Sequence, residues 1–202
     1  MKDCVLIFIG GSGSNLIKKY KGKLNNILIC DDNNHTCKGY DYYLLKDNYA
    51  HLDGGYKFHL KIYEDNNDAL RPIISKYKRI VLICGLGGIN GTAGIIYLSD
   101  LANDMNISCD AIVSMPFSFE GKKRTKYAKD ALSMAKLDRC YIIFLDKIRD
   151  ISDSKTSLAD YWSKYIDNLF IKYIETYEKK VLNGKELTNE DIKSINNIVK
   201  KD

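Results

Sequence analysis

The sequence predicts an α/β domain built on a mainly parallel sheet, and three observations carry that prediction. Short apolar runs recur along the chain, helical periodicities lie between them, and two glycine-rich segments follow such runs directly. Val5–Ile9, Ile27–Cys30, Ile80–Cys84, Ala111–Met115 and Tyr141–Leu145 are apolar almost throughout, as strands covered on both faces tend to be. Tyr42–Leu45 is a weaker candidate strand. Helical patterns occupy Asn15–Lys21, Asp68–Lys78, Thr92–Met105 and Lys122–Lys136.

A longer helix is expected over 157–182. Leu158, Tyr161, Trp162, Tyr165, Leu169, Tyr173, Tyr177 and Val181 recur at spacings of three and four, one continuous apolar stripe. Ser157 with Asp160 makes a capping-box-like start, and Asn183-Gly184 makes the stop. Such a helix is about 37 Å long, enough to cross a domain. Residues 1–183 therefore read as one domain that includes this helix. Residues 184–202 read as a short helical tail, capped at Thr188-Asn189-Glu190-Asp191, with no second domain.

Composition excludes several classes. The chain has 202 residues, 45% of them hydrophobic, with 14 Gly against 2 Pro, so it can bury a core and is not a disordered chain. No apolar run is long enough to span a bilayer and no secretory leader opens the chain, which points to the cytoplasm. The net charge of +5 is well short of the excess expected of a dedicated nucleic-acid binder, so no direct contact with nucleic acid is expected. The six Cys show no CxxC pair and no Cys/His ligand spacing, so no structural metal site is expected.

The glycine segments carry the chemistry. Gly10-Gly11-Ser12-Gly13-Ser14-Asn15 follows the first strand, and Gly85-Leu86-Gly87-Gly88-Ile89-Asn90-Gly91-Thr92 follows the strand Ile80–Cys84. Glycines there let backbone N–H groups approach an anion at the start of the next helix. Two such loops at the carboxyl ends of strands in one sheet favour a bound phosphate chain. The chain has no Gly-Lys-Ser or Gly-Lys-Thr of a P-loop, and Gly11-x-Gly13-x-x-Leu16 lacks the third glycine of a dinucleotide fingerprint.

The order of motifs instead resembles the tubulin/FtsZ family of GTP-binding cytoskeletal proteins, most of all its prokaryotic cell-division members. The first loop, closed by Asn15, is similar to the family's first phosphate loop. Gly87-Gly88-Ile89-Asn90-Gly91-Thr92-Ala93 sits where the family carries its GGGTG[ST]G signature, and Pro116-Phe117-Ser118-Phe119-Glu120-Gly121-Lys122-Lys123-Arg124 resembles the ribose-binding loop of its bacterial members. The resemblance runs from Cys4 to about Asn183 and implies a Rossmann-like GTP-binding domain, a mainly parallel sheet flanked by helices, with residues 157–182 as its central helix.

That resemblance implies roles for matching positions. Gly10, Gly11, Ser12, Gly13 and Ser14 would meet the diphosphate, with Asn15 nearer the base. Gly87, Gly88, Asn90, Gly91 and Thr92 would hold the terminal phosphates. Pro116, Glu120 and Arg124 would form the ribose side. Asp31, Asp32 and Asn33 follow the second strand, where the family approaches Mg²⁺ and the γ-phosphate. Trp162 or Tyr161 would stack on guanine, and Asp167 or Asn168 would read its N–H edge. GTP or GDP, with Mg²⁺, is the implied ligand.

Departures are also present. Ile89 and Ala93 replace family glycines and Asn90 replaces Thr; Ile89 at positive φ would strain the loop by about 1–2 kcal/mol. The family's carboxy-terminal domain has no counterpart in the chain. Family members hydrolyse GTP between subunits, and the best residue here for a neighbour's site is Asp191. Three readings follow: a slow GTPase that self-associates, a GTP- or GDP-binding regulator or filament partner without catalysis, and an unrelated nucleotide-dependent α/β transferase.

Overall fold

A computed structural model of the chain describes residues 2–30, 39–47, 54–149 and 165–198. Six strands form one sheet: β1 (Lys2–Ile9), β2 (Asn25–Cys30), β3 (Tyr42–Leu44), β4 (Tyr77–Gly85), β5 (Ser108–Met115) and β6 (Arg139–Phe144). Their order is β3-β2-β1-β4-β5-β6, and every pairing is parallel. The chain winds outward from β1 in one direction and from β4 in the other. The switch point, where open parallel sheets bind ligands, therefore lies between β1 and β4.

The helices follow from the two-residue alternation of the strands. Val5, Ile7 and Ile9 of β1 face one layer, with Leu82 and Cys84 of β4 and Ala111 and Val113 of β5. That layer consists of α2 (Gly55–Asp65), α3 (Asn67–Ile74), α4 (Ile89–Asp104) and α5 (Lys122–Met134). Cys4, Leu6 and Phe8 face the other layer, against α1 (Gly10–Lys19) and α7 (Asp167–Lys180). A short α6 (Leu145–Arg149) follows β6, and α8 (Asn189–Ile198) closes the described chain. Ile195 of α8 is buried in the same core as Tyr173 and Tyr177 of α7, so the tail packs on the domain. Among the described residues no helix is long and apolar enough to cross a membrane.

Several boundaries differ from the sequence expectation for identifiable reasons. Helix α1 starts at Gly10, not Asn15, because the glycine segment is itself the first helical turn. The helix expected over Asp68–Lys78 stops at Ile74, just after Pro72. Tyr77 and Arg79 instead join β4, opposite Lys2 and Cys4 of β1. Leu145 leaves the expected strand to open α6. Helix α2 was not read from the sequence, although Tyr56, Ile62 and Tyr63 mark its buried stripe. Of the long helix, α7 and a 3₁₀ turn over Val181–Asn183 are seen, ended by Gly184 in the left-handed conformation. Its expected start, Ser157 to Trp162, lies outside the described residues.

Candidate functional site

The first glycine segment turns the chain from strand to helix within one residue. Gly10 has φ +64°, a region that costs a residue with a Cβ about 1–2 kcal/mol. Ile9, the N-cap of α1, offers no side-chain hydrogen bond, so its first-turn N–H groups carry no side-chain cap. Gly13 serves packing: a Cβ there would lie 2.8 Å from the carbonyl carbon of Phe8. The Ser14 hydroxyl donates to the Gly11 carbonyl at 2.8 Å and is buried. Ser12 reaches across the switch point, its Oγ accepting the Gly85 N–H at 3.0 Å.

The second segment is built differently. Gly87 has φ +89°, and Gly88 N-caps α4 with no side chain to offer. Thr92 is fully buried and its Oγ1 accepts the Gly87 N–H at 3.2 Å, so the hydroxyl holds the loop's shape. Asn90 is 7% exposed. Its Oδ1 accepts the Tyr63 hydroxyl, while its Nδ2 is buried with no hydrogen-bond partner. A Cβ on Gly10 would stand 3.6 Å from that same Nδ2. Ile89 is the first residue of α4 and has no positive φ, so the strain expected of it does not arise.

The segment after β5 closes the third side. Glu120 accepts the Phe117 N–H at 2.9 Å and pairs with Arg124, whose side chain is 55% exposed. The backbone of α5 presses on the second loop, since a Cβ on Gly87 would lie 2.9 Å from the Arg124 carbonyl oxygen. Asp146 of α6, not singled out from the sequence, accepts the Ser118 N–H at 3.0 Å and the Ser118 hydroxyl at 3.1 Å. Its only signal was an acid placed just past a strand end.

These three segments surround one cavity of about 560 Å³, within the usual range for a small-molecule site. Gly10, Gly11, Ser12 and Asn15 line one wall, Gly88, Asn90 and Gly91 another, and Pro116, Glu120 and Arg124 a third. Gly13, Ser14, Gly87 and Thr92 stand behind this lining. Ser114 and Leu145 also line the cavity; sequence reasoning missed both, because a buried position at or just past a strand end carries no motif. Two helix N-termini without side-chain caps, an orphaned amide donor and an arginine make the cavity a site for anionic oxygens. Glu120, the carboxylate in its described lining, is held by Arg124.

Asp167 and Asp191 are not part of this lining. Asp31, Asp32, Asn33, Tyr161 and Trp162 lie outside the described residues. Asp167 is buried at the start of α7, its Oδ2 2.8 Å from Lys19 Nζ and its Oδ1 without a partner. Burial pushes its carboxyl up, while the Lys19 hydrogen bond and charge pull it down. Asp191 forms a capping box with Thr188: its Oδ2 accepts the Thr188 N–H and Oγ1, both at 2.9 Å, and its own N–H donates back at 3.2 Å. Its Oδ1 takes Lys180 Nζ at 2.6 Å. The Lys180 hydrogen bond, then those from Thr188, hold this carboxyl down at about 2. Among the described residues no group of three His, Cys, Asp or Glu could hold a metal ion.

No family model matches the chain. Over 108 residues, 52% of the chain, it is 34% identical to the cell division protein FtsZ of Wigglesworthia glossinidia brevipalpis, a match that spans 28% of that protein. In fold it is similar to an empty FtsZ dimer structure from M. jannaschii, with a TM-score of 0.78 at 20% identity, over 98% of this chain and 61% of that one. It is also similar to a GDP-bound monomer of CetZ1 from Haloferax volcanii, with a TM-score of 0.73 at 14% identity, over 95% of this chain and 63% of that one. The chain spans about three-fifths of these solved chains.

Proposed function

We propose that this chain, an FtsZ homologue with the tubulin/FtsZ fold, is a guanine-nucleotide-binding protein that associates with copies of itself or with a related filament. One observation carries the binding: two helices without N-terminal side-chain caps, following adjacent strands at the switch point, open on one cavity beside the free Asn90 amide. The donor set fits a nucleoside di- or triphosphate. Backbone N–H groups and Asn90 would hold the phosphates, while Arg124 and Pro116 would flank the ribose. Guanine as the base rests on the FtsZ homology and on the GDP held by the CetZ1 relative. Asn15 on the rim, Asp167 and Trp162 are the residues proposed to meet it. Asp31, Asp32 and Asn33 are proposed to stand near Mg²⁺ and the terminal phosphate.

Calorimetric titration with GDP, GTP, ADP and ATP tests this reading. Guanine nucleotides should bind tighter by on the order of 100-fold, because the unpartnered Asp167 Oδ1 would accept a guanine N–H that adenine does not offer. Equal affinities would overturn the base choice, and no binding of any nucleotide would overturn the site. Arg124→Ala should weaken binding more than Lys18→Ala.

Hydrolysis is proposed to be slow and to need a neighbour, with Asp191 serving the adjoining copy's site. Specific activity should then rise with protein concentration, and Asp191→Ala should abolish turnover with nucleotide affinity unchanged. A second reading, a binding regulator without turnover, is favoured by one observation: both Asp191 oxygens are engaged within its own chain. Tight binding with no turnover at any concentration decides for that reading.

A further inference from the structure

One helix carries a local excess of positive charge. Helix α5 carries five basic residues, Lys122, Lys123, Arg124, Lys126 and Lys129, against the single acid Asp130, in a chain whose net charge is only +5. Arg124 is committed to Glu120, and Asp130 accepts the Tyr56 hydroxyl of α2 at 2.9 Å. The four lysines are exposed, and among the described residues none of them has an ion-pair partner. Lys122, Lys126 and Lys129 stand at i, i+4 and i+7, one stripe about 10 Å long. Lys123 lies beside it with its Nζ 5.8 Å from the Tyr127 ring centroid.

The chemistry of this stripe selects its partner. Its first three turns expose no large apolar side chain, so a bilayer gains no insertion there. A folded protein or peptide partner would find no buried aromatic anchor. A surface of bare ammonium groups gains useful affinity chiefly from a polymer of high linear charge density, through counterion release. Lysine is a point charge that suits phosphate oxygens without fixed geometry.

We propose that the exposed face of α5 binds the phosphate backbone of nucleic acid without sequence preference, at a site separate from the nucleotide cavity. This departs from the expectation drawn from total charge, which averages a local cluster away.

Fluorescence anisotropy of a labelled mixed-sequence 20-mer duplex, titrated with the full chain between 50 and 200 mM salt, tests it. Four phosphate contacts predict a log–log slope of about −3.6 and an affinity loss on the order of 100-fold across that range. Lys126→Glu with Lys129→Glu should at least halve the slope and leave both guanine-nucleotide affinity and the circular dichroism spectrum unchanged. A slope near zero, binding unaffected by the double charge reversal, or absence of binding at 50 mM salt would overturn the proposal. Equal competition by polyglutamate, or equal binding to vesicles rich in phosphatidylserine, would overturn it in favour of an acidic polypeptide or a membrane surface.

Discussion

The two glycine segments look alike in sequence and do different physical work. In the first, Gly13 lets α1 lie directly on β1, and Ser12 and Ser14 spend their hydroxyls on the protein's own backbone. In the second, Gly88 has no heavy atom within 4 Å of where a Cβ would stand, and Asn90 keeps a buried donor unpaired. Gly13 serves close packing and Gly88 open approach. Substitution of Gly13 should therefore register as stability and that of Gly88 as affinity.

The largest effect is expected from Gly13→Ala. The new methyl meets main chain at 2.8 Å, which cannot rotate away, and overpacking of this kind costs about 1–3 kcal/mol. Thermal unfolding should fall by several degrees, and an unchanged midpoint would erase the packing role. Lys19→Met follows, since it leaves the Asp167 carboxylate buried and unpaired. With Lys19 itself 35% exposed, a loss of about 2 kcal/mol is expected at neutral pH, below that of a fully buried pair. Burial raises this carboxyl above its ordinary value, and without Lys19 it rises further. The penalty is thus present above the raised value and relieved as pH falls through it. Urea melts of Lys19→Met against the unsubstituted protein should converge as the solution is acidified; a constant gap would contradict the pairing.

Behind the second loop, Tyr63→Phe in α2 removes the donor to Asn90 Oδ1 and should cost about 1 kcal/mol, with a modest loss of nucleotide affinity as the amide loosens. Gly88→Ala should change stability least, by under about 0.5 kcal/mol, because its φ of −77° suits any residue and the space is open. Its nucleotide affinity should nevertheless drop about tenfold, or ~1.4 kcal/mol. If Gly88→Ala destabilised the fold and bound normally, the contrast between the loops would fail.

The strands were legible because burial on both faces writes itself as an unbroken apolar run, and Val5–Ile9 and Ile80–Cys84 lie within the observed β1 and β4. The loops were legible because their glycines cluster directly after apolar strands. Helix α2 was not read in advance, since its buried Tyr56, Ile62 and Tyr63 are interleaved with exposed Lys57 and Lys61. Ser114 and Asp146 were missed for another reason: each acts through a neighbour distant in sequence, across β4 and across the segment before α5.

By itself the sequence determined the strands, the parallel α/β class and the two glycine loops, because these depend on local periodicity and on the absence of a Cβ. The tertiary structure alone decided which donors remain free. Thr92 turns inward to Gly87 and Asn90 keeps its Nδ2 open, although both are small polar residues one turn apart at most. It also decided that Asp167 meets Lys19 and that Asp191 meets Lys180, whereas the Thr188–Asp191 cap was legible from its spacing. Apart from such local caps, hydrogen bonds and ion pairs form between groups brought together by packing, and nothing in the spacing of residues along the chain records which partner arrives first.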